Sequence, residues 1–182
     1  DAVVIRARRE RCALRQSPDA PQQPIRTPSH PARIAVMLST SVEESGFVLR
    51  TLDDAWGGRA GAPSIRVRAH PAIPLSAGLR RAGSLRLDVN TGAACSLDET
   101  WSWADLVVYS SSTLGLEAVH RGIPVVFLDA GGFLSLDPLF ACGALRRTAH
   151  DGQSLRQAAE DLLCLPLERV EVERREARIF SE

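Results

Sequence analysis

Apolar residues in this chain fall into short unbroken runs separated by amphipathic stretches. Ile34 to Leu38 is apolar throughout and stops at Ser39-Thr40-Ser41. Leu106 to Tyr109 is a second run and empties into Ser110-Ser111-Ser112-Thr113, while Val125 to Leu128 is a third. Runs of this length, without polar alternation, read as strands buried on both faces. Ile65 to Ala69 alternates like a strand and ends at His70-Pro71. Leu85 to Val89 and Leu145 to Thr148 complete the expected strands, with Ala2 to Ile5 as a short one near the start. Helical spacing marks Glu43 to Trp56, stopped by Gly57-Gly58. Shorter helices are expected at Ser76 to Ala82 and at Leu97 to Trp103, where Trp101 and Trp103 are partly buried. Another runs from Leu114 to the break at Gly122-Ile123-Pro124. A helix over Leu134 to Cys142 and a strongly patterned one over Ser154 to Leu163 follow. After Pro166 the charged stretch to Glu182 reads as a helix that docks on something outside this chain.

Strands alternating with helices define an α/β fold: a Rossmann-like parallel sheet with helices on both faces. Pro18, Pro21, Pro24, Pro28 and Pro31 cannot sit inside a helix, so residues 1–31 read as an N-terminal fragment with a Pro-rich linker. Residues 32–182 form the domain.

Composition narrows the function. Lys+Arg and Asp+Glu balance at 22 each, so no global field draws in a polyanion or a membrane. All the basic residues are arginine, which reflects GC-rich codons more than function. Aromatics at 5% argue against stacked recognition of nucleic acid. Cys12, Cys95, Cys142 and Cys164 lie far apart, with no metal-binding spacing, and are expected to be reduced in a cytoplasmic protein. No apolar run reaches the length of a membrane span. The first residue is Asp1, which gives the expectation of a piece of a longer protein.

In an open parallel sheet, ligands bind beyond the C-terminal ends of the strands. Ser39 to Ser41, His70, and Ser110 to Thr113 would share that rim. The hydroxyl cluster opens a helix, where unpaired N–H groups attract phosphate. A simple cap needs one hydroxyl, and this turn carries Ser110, Ser111, Ser112 and Thr113. Glu117 is misplaced for a capping box begun at Ser112 or Thr113, because the third helical position is then Gly115 or Leu116. A carboxylate there would instead accept hydrogen bonds from a ribose diol. His70 can donate to a phosphate oxygen. Ser39-Thr40-Ser41 has two readings, a donor loop or the cap of the next helix, since Ser41-Val42-Glu43-Glu44 has capping-box spacing. Asp129 to Gly132 reads as a turn as readily as a ligand contact, and His30, His120 and His150 read as surface residues. The pattern points to a nucleotide or nucleotide-sugar site.

Arg68-Ala69-His70-Pro71, the segment Tyr109 to Ala118, and Gly122-Ile123-Pro124-Val125-Val126 together resemble the C-terminal half of GT-B-fold glycosyltransferases. The resemblance spans roughly Arg33 to Leu163 and is greatest to bacterial capsule and surface-polysaccharide transferases. It implies a donor-binding domain in which His70 and Ser110 to Thr113 hold the phosphate of a CMP-, UDP- or GDP-linked sugar and Glu117 holds the ribose. It implies no cofactor and no catalytic metal. The acceptor glycan and the general base would belong to an N-terminal domain that this chain has no room for, so the chain alone would be inactive. The protein would then be cytoplasmic, or peripheral at the inner membrane. Arg146 and Arg147 are further candidates for contact with an anionic donor or acceptor. The rivals are a sugar-nucleotide epimerase of the same architecture and a non-catalytic assembly module. A dinucleotide oxidoreductase is disfavoured, because no G-x-G-x-x-G follows the first strand.

Overall fold

The computed structural model describes residues 31–89, 95–131 and 137–181. The expected strand at Ala2 to Ile5, the proline-rich linker up to His30, and the start of the helix expected at Leu134 lie outside them. Five parallel strands, β1 (Arg33–Met37), β2 (Ser64–Arg68), β3 (Leu106–Tyr109), β4 (Val125–Leu128) and β5 (Arg146–Ala149), form one sheet in the order β2-β1-β3-β4-β5. Among the described residues six helices accompany them: α1 (Val42–Trp56), α2 (Leu75–Ala82), α3 (Leu97–Trp103), α4 (Leu114–His120), α5 (Gly152–Leu163) and α6 (Leu167–Ser181).

The unbroken apolar runs work as expected because each strand feeds two cores. Ile34, Val36, Leu106, Val108, Val126 and Leu128 point to the face covered by α1, α2 and α5. Ala35, Met37, Val107, Tyr109, Val125 and Phe127 point to the face covered by α3, α4 and α6. Successive side chains alternate between faces, so a strand buried on both sides has no polar position. The edge strand β2 is different: Ile65 and Val67 face the first core, whereas Arg66 lies across the Trp103 ring at 4.2 Å on the other face. Trp101 is fully buried, beyond the partial burial expected for it.

Three segments also depart from expectation. Leu85 to Val89 is not a strand, because its amides are spoken for: Arg86 N–H and Leu87 N–H donate to Asp53 Oδ1 at 2.7 and 2.8 Å. The Arg86 guanidinium adds bonds to Asp53 Oδ2. Residues 137–142 form turns instead of the end of a helix, with Cys142 N–H bonded to Leu139 O at 2.8 Å. Finally, α6 docks on this chain itself. Ala177 is buried in the second core, and the buried Glu173 accepts from Leu145 N–H at 2.8 Å. That bond holds Leu145 at a φ of 52°, a left-handed conformation costly for a branched side chain.

Candidate functional site

The order β2-β1-β3-β4-β5 reverses direction between β1 and β3. After β1 the chain crosses to one face through α1, and after β3 to the other through α4. The loops that leave β1 and β3 therefore head toward opposite faces, and the crevice position that such a switch point defines is where open α/β sheets take their ligands. The first loop is Ser39 to Ser41 and the second Ser110 to Thr113. His70 follows β2 at the same end of the sheet. Since strands lie ~4.8 Å apart, His70 leaves the sheet roughly 10 Å from Ser110, with the β1 loop between them. A ligand touching both would cross Ser39 to Ser41.

The hydroxyls differ in what they can offer. Ser110 is wholly buried and its Oγ has no hydrogen-bond partner. Ser111 donates both its N–H and its O–H to Glu44 Oε1, at 3.2 and 2.7 Å. Ser112 Oγ accepts from Leu114 N–H at 3.3 Å. Thr113 is exposed and is the N-cap of α4, but its side chain makes no capping bond. The turn thus presents Ser112 and Thr113 outward, with Ser110 enclosed and Ser111 engaged.

With Thr113 as N-cap, the third helical residue is Leu116 and Glu117 is the fourth, so no capping box forms there. Glu117 Oε1 accepts from Trp101 Nε1 at 3.0 Å and from the Arg121 guanidinium at 3.2 and 3.3 Å. It ties α4 to α3 while remaining partly exposed. His70 is half-buried, and its Nδ1 accepts from Ala72 N–H at 3.2 Å. Nε2 is then the nitrogen that carries the proton of the neutral ring. Beside His70, a shallow notch between the ends of β1 and β2 is bordered by Ser39, Ser45, Leu75 and Gly78. Ser45 Oγ is buried there without a partner.

Of the two readings of Ser39 to Ser41, the helix cap is the one seen. Ser41 Oγ caps α1 by accepting from Glu44 N–H at 3.2 Å, and Ser39 Oγ accepts from Ser41 N–H at 3.1 Å. Both residues nevertheless sit at the mouth of the crevice.

Arg146 and Arg147 lie at the other end of the sheet, at the start of β5, where Arg146 pairs with Val125. Arg146 is committed to the buried Asp137, and Arg147 pairs with Glu173 at 3.7 Å. Neither faces the crevice. Asp129 forms the Gly turn at the end of β4, accepting from Gly131 N–H at 2.9 Å. His150 lies 3.8 Å from Asp129, a pairing across neighbouring strand ends that linear spacing did not signal. Glu44 was missed as well. Its capping-box position made it look local, and only the fold brings it to Ser111.

The chain matches no protein-family model and no curated protein sequence. Solved structures do resemble it. CalG4, the calicheamicin glycosyltransferase, aligns over 88% of this chain at 19% identity with a TM-score of 0.56. The glycosyltransferase of kitacinnamycin aligns over 91% at 17% identity and a TM-score of 0.57. SnogD from Streptomyces nogalater aligns over 89% at 19% identity and a TM-score of 0.53. The aligned regions span only 41%, 44% and 43% of those chains. The fold is therefore the Rossmann-like α/β domain found within GT-B glycosyltransferases, as the sequence motifs suggested. Among the described residues, no helix is long and apolar enough to cross a membrane.

Proposed function

We propose that this chain is the donor nucleotide-sugar-binding domain of a glycosyltransferase, acting with an acceptor-binding domain outside this chain. The observation that carries the reading is the crevice between the β1 and β3 loops. Ser41, Ser112 and Thr113 lie on the loops flanking that position, with His70 after β2 at the same end of the sheet, in a fold shared with glycosyltransferases. Ser112, Thr113 and His70 Nε2 would hold the donor phosphate. Hydrogen bonds aimed at the phosphate stabilise the charge that builds there as the glycosidic bond breaks. Glu117 would meet the ribose through Oε2, since Oε1 already serves Trp101 and Arg121. No cofactor is needed for such a transfer. A surface polysaccharide as acceptor, and a CMP-, UDP- or GDP-linked donor, rest on the sequence resemblance.

In the full-length protein, Ser112→Ala and Glu117→Ala are expected to lower glycan synthesis at least tenfold, a loss of about 1.4 kcal/mol or more of transition-state stabilisation. Circular dichroism of each variant checks that it is folded. Folded variants that keep full synthesis would mean that the fold serves assembly and not donor binding.

A further inference from the structure

Three helices of this chain begin with a side-chain cap among the described residues, and α1 differs from the others in one respect. In α3, Ser96 and Glu99 exchange both bonds of a capping box. In α5, Asp151 and Ser154 do the same. In α1 only half of the box exists: Ser41 Oγ accepts from Glu44 N–H, but the Glu44 carboxylate does not return to Ser41 N–H. Ser39 Oγ takes that N–H instead.

The Glu44 carboxylate has gone across the crevice. It accepts both the N–H and the O–H of Ser111, 67 residues away in sequence. Bonds to an ionised acceptor are among the stronger hydrogen bonds, and this pair is partly shielded from water. A carboxylate thus occupies two further donors beside Ser112 and Thr113, and its charge repels an anion approaching them.

We propose that Glu44 is a built-in occupant of the ligand crevice, competing with anionic ligands for Ser111 and thereby setting how tightly the site takes them. The inference rests on reading the crevice as an anion site. An alternative seat for the carboxylate is close by. Ser41 N–H, three residues back, is the partner that the corresponding side chains use in α3 and α5. A turn of Glu44 to that seat would uncover the Ser111 donors and displace Ser39 Oγ from Ser41 N–H. Binding then proceeds at the expense of one rotamer change and one cross-crevice contact.

The test is calorimetric titration of this chain and its Glu44→Ala and Glu44→Gln variants with inorganic pyrophosphate, and separately with CMP, UDP and GDP. Removing the internal competitor is expected to tighten pyrophosphate binding roughly tenfold in Glu44→Ala, as for a site whose open state is populated at about a tenth. The gain should vanish in the Glu44→Ala, Ser111→Ala double variant. Glu44→Gln keeps an acceptor for Ser111 without the charge and should gain less than Glu44→Ala. Equal or weaker pyrophosphate binding by folded Glu44→Ala would overturn the inference. Nucleotide binding indifferent to Glu44 would overturn it too while leaving the donor-site reading intact. A pyrophosphate gain without binding of any nucleotide would support the occupant and defeat the donor-site reading.

Discussion

Asp137→Ala should be severely damaging to this domain, lowering stability by about 3–5 kcal/mol. Asp137 is only 5% exposed, and three groups depend on it. Its Oδ1 accepts from the Tyr109 hydroxyl at 2.6 Å and from Leu139 N–H at 2.9 Å, and its Oδ2 accepts from the Arg146 guanidinium. Alanine leaves a largely buried cation without its counter-charge, while Arg146 Nε already lacks a partner. Burial, reinforced by the neighbouring carboxylate, pushes the Tyr109 phenol well above its ordinary range, so its O–H remains a donor and would be stranded as well. Domains are stable by only about 5–15 kcal/mol, so the variant sits near the threshold of folding. Urea denaturation followed by tryptophan fluorescence reads the change as a lower midpoint at unchanged slope. Asp137→Asn keeps an acceptor for Tyr109 and should lose less; equal midpoints for alanine and the unsubstituted chain would refute the network.

Gly115→Ala should also destabilise the domain, and its sign is diagnostic. In an open helix this change gains about 1 kcal/mol from propensity. Here a Cβ at residue 115 would lie 2.7 to 2.8 Å from three ring atoms of Tyr109. The ring cannot retreat, since its hydroxyl is held by Asp137 and it packs against Phe127 with centroids 5.5 Å apart. Overpacking of this sort costs about 1–3 kcal/mol, enough to reverse the propensity gain. Helix α4 must shift outward, carrying Ser112 and Thr113 with it, so nucleotide affinity should fall alongside the urea midpoint. A stabilised variant would show that α4 is not seated on Tyr109. Both substitutions act through Tyr109, so their effects should not add.

These same residues mark what the sequence disclosed. Doubly buried strands have a plain signature, and Ile34 to Leu38, Leu106 to Tyr109 and Val125 to Leu128 could hardly be anything else. From them came the parallel sheet and hence the shared rim of Ser39, His70 and Ser110. Leu85 to Val89 has a strand's composition but belongs to a loop, because Asp53, more than thirty residues earlier, captures its amides. No local pattern encodes that capture. Charged residues were the least legible. Arg146 and Arg147 looked like ligand contacts, yet the fold turns them toward Asp137 and Glu173 at the far end of the sheet. Glu44 looked like half of a local capping box, yet it reaches the turn after β3. Side-chain pairing across the sheet depends on topology, and a polar residue near a strand end carries no mark of which neighbour it will meet. The docking of the charged α6 was misread for the same reason: Glu173 and Ala177 find their partners on this chain.

Under the proposed function, the crevice between the β1 and β3 loops binds a nucleotide sugar. The most direct measurement is a nuclear magnetic resonance titration of the isotope-labelled chain with CMP, UDP and GDP, following backbone amides. Saturable shifts are expected for one or more of the three, weak in this domain alone, clustered at Ser39 to Ser41, His70, Ser111 to Thr113 and Glu117. No shifts at millimolar nucleotide, or shifts gathered around Arg146 and Arg147 at the opposite end of the sheet, would contradict it.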